Sequence, residues 1–264
     1  MIKDLFIGFL RRGIPYSIRQ KVVSSLLKLE YGGGNIRTSG ELKAMKYVFG
    51  KLSLRERNQN MVLFDVGANV GNYSLELYNR FGENSDIYSF EPSMHTFKVL
   101  CDNMRSVSNI HCQNIGLSNM SSTKTLYAEK EGDGTASVYH RRLDHFDIHM
   151  DVTQECQFTT LDSFCNENGI SRVNFLKIDV EGHELSVLQG AKEILSRGGI
   201  DFIQFEFGGC DIDSRTFFQD FWYLLGEKYV IYKIVPNGLY QIKKYSETQE
   251  IFICQNFLAE LCMC

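Results

Sequence analysis

Residues 63–74 have the sequence LFDVGANVGNYS, and this stretch decides the fold. An apolar strand runs into Asp65 and then into a turn that carries Gly67 and Gly71, after which a helix is predicted to begin near Asn72. Glycine lets the backbone approach a ligand because no Cβ stands in the way. The first N–H groups of the helix have no intrahelical partner and point into the same crevice. The pattern therefore predicts a strand–turn–helix unit that binds a nucleoside.

A second strand supports this interpretation. Residues 87–90 have the sequence IYSF and are followed by Glu91, about twenty residues beyond Gly71. In βαβ nucleoside domains an acid at this distance accepts hydrogen bonds from the ribose hydroxyls. Glu91 is therefore predicted to hold a ribose, and the chain is predicted to be an enzyme that uses a nucleoside cofactor.

The composition is that of an ordinary soluble globular protein. The 264 residues are enough for one sizeable α/β domain with a large core. The net charge of -4 argues against a general nucleic-acid binder, which usually carries a basic face. The eight cysteines include no Cys-x-x-Cys pair, so reduced thiols in a cytoplasmic protein are favoured.

The chain is predicted to divide into an N-terminal helical arm, residues 1–60, and an α/β domain, residues 61–264. The break at residues 31–35, YGGGN, ends the first helix of the arm. Residues 118–160 are polar and depart from the rhythm of the domain, so we expect an insertion beside the crevice, with a hairpin and a loop.

The first helix of the arm is amphipathic and basic. Its apolar residues recur at helical spacing, and they are Ile18, Val22, Leu26 and Leu29. This helix is predicted to pack on the main domain, with peripheral contact to a membrane surface as the alternative. No apolar run is long enough to predict a transmembrane segment.

From residue 61 onward, strand and helix patterns alternate. Strands are predicted at 62–66, 87–90, 110–117, 174–179 and 202–207, with helices between most of them. Such alternation predicts an α/β fold, a mostly parallel Rossmann-like sheet with helices on both faces. Residues 230–235 and 250–255 are predicted as two final strands joined by the turn at 236–238, which indicates an antiparallel edge.

With these motifs in place, the chain resembles the FkbM-type methyltransferases, a group of class I S-adenosylmethionine-dependent enzymes. The matching motifs are FDVGANVG at 64–71, FEP at 90–92, NIGLS at 114–118, LKIDVEGHE at 176–184 and VLQGA at 187–191. The glycine turn alone is weak evidence, whereas the ordered set is specific. The likeness covers residues 61–207.

The resemblance implies a seven-stranded sheet whose last strand is antiparallel. It also implies methyl transfer from S-adenosylmethionine to a hydroxyl of a sugar, glycan or natural-product acceptor. By position, Asp65, Gly67, Asn69 and Gly71 would line the methionine part and the nucleoside edge of the cofactor. Glu91 would hold the ribose, and Asn114 would lie near the adenine.

Two other functions compete with methyl transfer. In an NAD-dependent oxidoreductase the turn would read Gly-x-Gly-x-x-Gly, but here Asn69 stands where the second glycine is expected. A side chain there would crowd a pyrophosphate, which S-adenosylmethionine lacks. The other competitor is a catalytically silent methyltransferase-like scaffold, and the intact turn, Glu91 and Asp179 count against it.

The catalytic residues are predicted in a second acidic motif, at the end of the strand 174–179. Ligands in open α/β sheets bind outside the carboxyl ends of the strands, so Asp179, Glu181 and His183 should face the crevice. Methyl transfer to a hydroxyl requires that the acceptor oxygen is aligned and loses its proton. We expect His183 to be the base, oriented by Asp179 or Glu181, with Asp179 itself as the alternative base.

Glu206 ends the next strand and is predicted to enter the same crevice. Glu184 in a first helical turn is explained by the helix dipole alone. Asp179, Glu181 and Glu206 together offer the oxygen ligands that magnesium prefers, but the main interpretation assigns no metal to the site. The predicted partner is a small-molecule or glycan acceptor rather than a nucleic acid.

Overall fold

The computed structural model describes residues 13–30, 35–55 and 60–262. Most of the predicted break at 31–35 lies outside these residues. The helices, in chain order, are α1 (Tyr16–Glu30), α2 (Glu41–Arg55), α3 (Asn72–Phe81), α4 (Met94–Met104), α5 (Leu161–Glu167), α6 (Glu184–Gln189), α7 (Lys192–Ser196), α8 (Cys210–Ser214) and α9 (Phe218–Leu225). Short 3₁₀ turns lie at Asp144–Phe146 and Glu247–Gln249.

The strands form a large sheet and a small one. In chain order they are β1 (Met61–Val66), β2 (Ser85–Phe90), β3 (Ile110–Gln113), β4 (Gly116–Leu117), β5 (Ser122–Ala128), β6 (Val152–Thr159), β7 (Val173–Ile178), β8 (Ile200–Phe207), β9 (Tyr229–Val235), β10 (Gly238–Gln241) and β11 (Gln255–Leu261). The large sheet has the order β10-β9-β11-β8-β7-β1-β2-β3. Its five strands from β8 to β3 are parallel, and β11 is antiparallel to both β8 and β9.

This architecture confirms the predicted fold class and its antiparallel last strand, but the strand count is eight rather than seven. The extra strand arises at the turn after Pro236, which leads into β10 as a hairpin partner of β9. The last strand also lies later than predicted, at Gln255–Leu261 instead of 250–255. It is placed there by pairing with β8 on one side and β9 on the other.

The central strands are buried on both faces, as parallel strands covered by helices must be. Every residue of β7 is buried, and β1 has only Val62 partly exposed. In the register of these two strands Asp65 lies opposite Lys177, and Val66 lies opposite Ile178. The motifs that follow β1 and β7 therefore emerge side by side at the carboxyl edge of the sheet.

Helix α2 packs on one face of the large sheet. Its residues Ala44, Met45, Val48 and Leu52 are buried in the same core as α3 and the strands, with the spacing of an apolar helical face. A buried polar chain also joins this helix to the sheet, because Gln204 donates to Glu41 at 2.9 Å and accepts from the Tyr73 hydroxyl at 2.9 Å. In packing terms, α2 is part of the core of the α/β domain.

The segment 118–160 contains the long hairpin β5–β6. These strands pair antiparallel over seven residue pairs, and β4 joins β6 in parallel to give a separate three-stranded sheet. The hairpin lies at the carboxyl edge of the large sheet, where Leu126 and Phe158 line a cavity.

Helix α1 exposes apolar side chains on its surface. Ile18, Val22 and Leu26 are each about half exposed, at helical spacing. In the described ranges, every helix is too short or too polar to cross a membrane. Contact of α1 with a membrane surface stays a prediction.

Candidate active site

A cavity opens at the carboxyl ends of β1, β2 and β7. The space within it and its open mouth amounts to about 610 Å³. The polar or backbone groups that line it include those of Gly67, Asn69, Glu91, Asp179, Glu181 and His183. Its apolar lining comes from Val66, Phe90, Leu117, Leu126, Val138 and Phe158. The structure thus brings both predicted motifs to one cavity.

The glycine turn is fixed by contacts within the protein. Gly67 has φ +80°, and a Cβ there would lie 1.8 Å from the carbonyl oxygen of Asp179. Gly71 has φ +92°, and a Cβ there would lie within 2.8 Å of the Leu100 and Met104 side chains. The need for glycine at Gly71 is therefore explained by packing against α4, and Gly71 does not line the cavity. Contact of its backbone with a cofactor stays a prediction.

Asn69 occupies the left-handed region, with φ +49°. Asparagine tolerates this conformation better than most residues. Its backbone N–H donates to Glu91 Oε2 at 3.1 Å. The residue that sets this turn apart from a dinucleotide turn thus also holds the predicted ribose-binding acid.

Glu91 is buried at the cavity wall. The Ser93 backbone N–H donates to its second oxygen, Oε1, at 2.9 Å. Burial raises the pKa of Glu91 to about 7, against the lowering effect of these two backbone donors. Each oxygen keeps a further lone pair, so the carboxylate can still accept from a ligand hydroxyl.

Asp65 lies beneath the turn and is fully buried. The Ser74 hydroxyl donates to Asp65 Oδ2 at 2.6 Å, and the Lys177 ammonium lies 3.3 Å from Oδ1. The same ammonium lies 3.4 Å from Asp179 Oδ2. Burial alone lowers the pKa of Lys177, but the carboxylates of Asp179 and Asp65 raise it further, so the net shift is upward. Asp65 therefore supports the turn and Asp179 through a lysine that the sequence analysis missed.

Asn114 does not line the cavity. Its side-chain amide donates to the carbonyl oxygens of Glu91 and Pro92, at 3.0 and 3.1 Å. These contacts fix the loop that presents Glu91. A position near the adenine stays a prediction.

The acidic motif after β7 lines the cavity next to the glycine turn. Asp179 is 40% exposed, which makes it the most open of the predicted catalytic side chains. Glu181 has the unusual φ of +55° and accepts from Arg141 at 2.6 Å. Burial, and then the nearby Asp179, raise the pKa of Glu181 to about 7 despite this ion pair.

His183 is buried, and both of its ring nitrogens have partners. Nε2 lies 2.9 Å from the Ser118 hydroxyl and Nδ1 lies 3.1 Å from the Tyr139 hydroxyl. The expected orienting acids, Asp179 and Glu181, are replaced in this role by two hydroxyl groups. Burial, with a smaller effect of Lys124, lowers the pKa of His183 to about 4, so the ring is neutral at pH 7.

Glu206 lies behind the acidic motif and does not line the cavity. Its Oε1 accepts from the Cys254 thiol at 2.6 Å, and the Cys210 thiol lies 3.9 Å from Oε2. Burial first, and then Asp179 and Glu181, raise its pKa well above the usual range. The sequence predicts that Glu184 only complements the helix dipole. In the structure Glu184 is fully buried, and its carboxylate accepts from the Val180 N–H at 2.8 Å.

Several residues of the site were missed at the sequence level. Lys177 carried a signal, since a lysine inside the apolar strand NFLKI is unusual. Ser118, Tyr139 and Arg141 lie in or beside the long insertion, and nothing local in the sequence shows that it folds onto residues 181–183. The insertion contacts the acidic motif directly, because the Ser137 hydroxyl donates to the Glu181 carbonyl at 2.7 Å.

Comparison with known proteins agrees with this geometry. The family model described as the methyltransferase FkbM domain matches residues 65–230. Methyltransferase 1 of Beauveria bassiana is 30% identical over 149 residues, which cover 48% of this chain and 57% of that protein. Hexuronic acid methyltransferase AglP of Haloferax volcanii is 26% identical over 146 residues, covering 55% of this chain and 56% of that protein.

A third relative, the 2-O-methyltransferase NoeI of Sinorhizobium fredii, is 21% identical over 199 residues, covering 72% of this chain and 77% of that protein. The chain spans just over half of the length of the first two relatives. The family match includes the glycine turn, Glu91 and the whole acidic motif. This chain therefore belongs to the FkbM methyltransferase family, whose methyl donor is S-adenosylmethionine.

Proposed function

We propose that this chain transfers a methyl group from S-adenosylmethionine to a hydroxyl oxygen of a sugar, glycan or natural-product acceptor. The observation that carries this proposal is that one cavity is lined by both Glu91 and Asp179. A site for a nucleoside and a partly exposed carboxylate therefore face each other across the same space. The names of the two relatives that act on hexuronic acid and at a 2-O position support a sugar hydroxyl.

The residues of the cavity fit the cofactor. Glu91 has lone pairs available for the ribose hydroxyls, and the backbone of Gly67 and Asn69 borders the same space. The faces of Phe90, Leu117 and Phe158 offer an apolar surface for the adenine. S-adenosylmethionine supplies a methyl group on a positively charged sulfur. Asp65 and Asn114 act from behind, as positioning residues for the turn and for the Glu91 loop.

Of the two candidate bases, the contacts favour Asp179. Its carboxylate is 40% exposed at the cavity, where an acceptor can reach it, and the Lys177 ammonium lies 3.4 Å away. His183 is neutral at pH 7, but both ring nitrogens are engaged by hydroxyl groups. We assign Asp179 the contact with the acceptor hydroxyl and its proton. His183 then positions the motif, with Glu181 held by Arg141.

The test begins with the full chain, S-adenosylmethionine and a panel of uronic acids, neutral hexosides and aliphatic alcohols. We expect an acceptor to gain the mass of one CH2, with an O-methyl resonance in its NMR spectrum. Methylation at nitrogen or carbon only would contradict the proposed acceptor class. A chain that binds no S-adenosylmethionine in isothermal titration at millimolar concentration would be a silent scaffold.

Two variants then separate the roles. Asp179→Asn should lower kcat by about 10²- to 10⁴-fold, the usual contribution of a general base. His183→Gln should leave a larger residual kcat, because glutamine keeps a donor and an acceptor for Ser118 and Tyr139. If His183→Gln is the more damaging change while cofactor affinity is intact, the base is His183.

A further inference from the structure

A group of acidic side chains lies directly behind the exposed face of Asp179. Within the described parts of the chain, one ligand atom from each of Asp179, Glu184 and Glu206 lies within 4.8 Å of the others. Glu206 also belongs to a second such set with Glu181 and Cys210. The first set is built entirely of carboxylates and comes from three places, the end of β7, the start of α6 and the end of β8. From the sequence, Asp179, Glu181 and Glu206 are the candidate ligands of a cation, and Glu184 is not among them.

In the ion pairs of the described residues, the positive side chains near this group contact its cavity-facing carboxylates. Lys177 contacts Asp179 at 3.4 Å, and Arg141 contacts Glu181 at 2.6 Å. Glu184 and Glu206 lie deeper, and the polar contacts of Glu206 are the thiols of Cys254 and Cys210. Buried carboxylates are normally paired or bound to a metal ion, because an uncompensated charge is costly to remove from water.

A second observation points to a missing ligand. Glu184 is fully buried, and its Oε1 accepts the Val180 N–H, whereas its Oε2 is buried without a hydrogen-bond partner among the described residues. The neighbouring Asp211 repeats this pattern, since Oδ2 accepts the Gly208 N–H and Oδ1 has no such partner. An acceptor atom held in place and left without a donor is what a bound cation would satisfy.

We propose that Asp179, Glu184 and Glu206 form a binding site for a hard divalent cation, Mg²⁺ or Mn²⁺. Carboxylate oxygens are the ligands these ions prefer, and they commonly keep further positions for water or substrate. Asp179 and Glu181 both line the cavity, so an ion can enter there and keep an open side toward it. The role of such an ion rests on the proposed function, where it would hold the acceptor oxygen beside the methyl donor.

The test is a Mn²⁺ titration of the full chain after treatment with a chelator and dialysis, with free Mn²⁺ followed by electron paramagnetic resonance. We expect one tightly bound Mn²⁺ per chain, displaced by Mg²⁺. Glu184→Gln and Glu206→Gln should each weaken Mn²⁺ binding by at least about tenfold. Two controls should bind Mn²⁺ as the wild type does. They are Glu129→Gln, at an exposed residue after β5, and Glu91→Gln, on the other side of the cavity.

Thermal unfolding with and without Mn²⁺ shows whether a variant has folded. The wild type should be stabilised by Mn²⁺, and the Glu184 and Glu206 variants should unfold cooperatively at a temperature that Mn²⁺ does not change. A wild-type chain that binds no Mn²⁺ at millimolar concentration, or variants that bind it equally well, overturns the site.

This outcome is independent of the proposed function, because the titration needs neither methyl donor nor acceptor. Intact Mn²⁺ binding without methyl transfer to any hydroxyl overturns the proposed function alone. Methyl transfer that persists unchanged in chelator, together with absent Mn²⁺ binding, overturns the cation site alone.

Discussion

The carboxylates in two regions of the site differ in whether their oxygens have hydrogen-bond partners within the protein. We call Gly67, Asn69 and Glu91 the turn wall, and we call Asp179 and Glu181, together with Glu184 behind them, the acidic wall. On the turn wall, both oxygens of Glu91 accept backbone N–H groups that local turns supply. On the acidic wall, Glu184 keeps a buried oxygen with no hydrogen-bond partner among the described residues. The turn wall is complete as a protein structure, whereas the acidic wall is completed by something it binds.

The two walls are nevertheless one mechanical unit. Gly67 lies against the carbonyl of Asp179 so closely that a Cβ would not fit, and Lys177 lies between Asp65 and Asp179. Perturbing either connection should therefore damage both walls, whereas a change confined to one wall should not.

The largest effect is expected from Lys177→Met. This change leaves the fully buried Asp65 without its cation, and breaking a buried ion pair on one side costs about 3–5 kcal/mol of unfolding free energy. Urea denaturation measures it, with the exposed Lys192→Met as the matched control. Adding Asp65→Asn to Lys177→Met should recover part of the loss. A single variant as stable as the control would show that the lysine does not hold the walls together.

The next effect tests the backbone contact. Gly67→Ala places a Cβ into the Asp179 carbonyl at a positive φ, and should destabilise the chain by about 2–5 kcal/mol from strain and overpacking together. Gly169→Ala is the matched control, because Gly169 has φ +65° with open space around its Cβ position. It should lose only the conformational term, about 1–2 kcal/mol. Equal losses in the two variants would mean that the close approach of the walls carries no free energy.

A change confined to the turn wall is Glu91→Gln. Hydrogen bonds to a charged acceptor contribute about 1.5–3 kcal/mol, so the affinity for S-adenosylmethionine should fall by about 10- to 100-fold. Isothermal titration measures the affinity, and Glu83→Gln at an exposed position provides the control. Unchanged affinity in Glu91→Gln would remove Glu91 from the cofactor site.

The turn wall was largely predictable from the sequence, because its contacts are local. The strand before Gly67, the helix start at Asn72 and the position of Glu91 all follow from patterns within about 30 residues, the size of one βαβ unit. Asn69 stands where a dinucleotide turn has its second glycine, so this difference could also be read from the sequence. The packing reason for Gly71, against α4, and the contact of Gly67 with the Asp179 carbonyl required the structure.

The acidic wall was predictable in its location but not in its partners. Parallel strands bring Asp179 and Glu206 to the same edge, and this much follows from the alternation of strands and helices. His183 has two hydroxyl partners, those of Ser118 and Tyr139. Their contact with His183 depends on how the long insertion folds back, and no local sequence pattern predicts that path. The last strand was misplaced for a related reason: residues 250–255 and Gln255–Leu261 are both apolar enough for a strand, and pairing with β8 and β9 decides between them.

The smallest effect, per pH unit, concerns Glu91 in the ligand-free chain. Burial raises its pKa from 4.5 to about 7, so the folded state keeps a proton that the unfolded chain releases above pH 4.5. The stability that this proton linkage contributes is present below pH 4.5 and is lost as the pH rises through 7.

His183 acts in the opposite sense, because its lowered pKa of about 4 costs stability as the pH falls below 6.5. The wild-type curve contains both contributions, and the difference between wild type and Glu91→Gln isolates the first. Between pH 4.5 and 7 the wild type should lose about 1 kcal/mol per pH unit relative to the variant, measured by urea unfolding without cofactor. Parallel curves over this window would mean that Glu91 is already charged in the empty cavity.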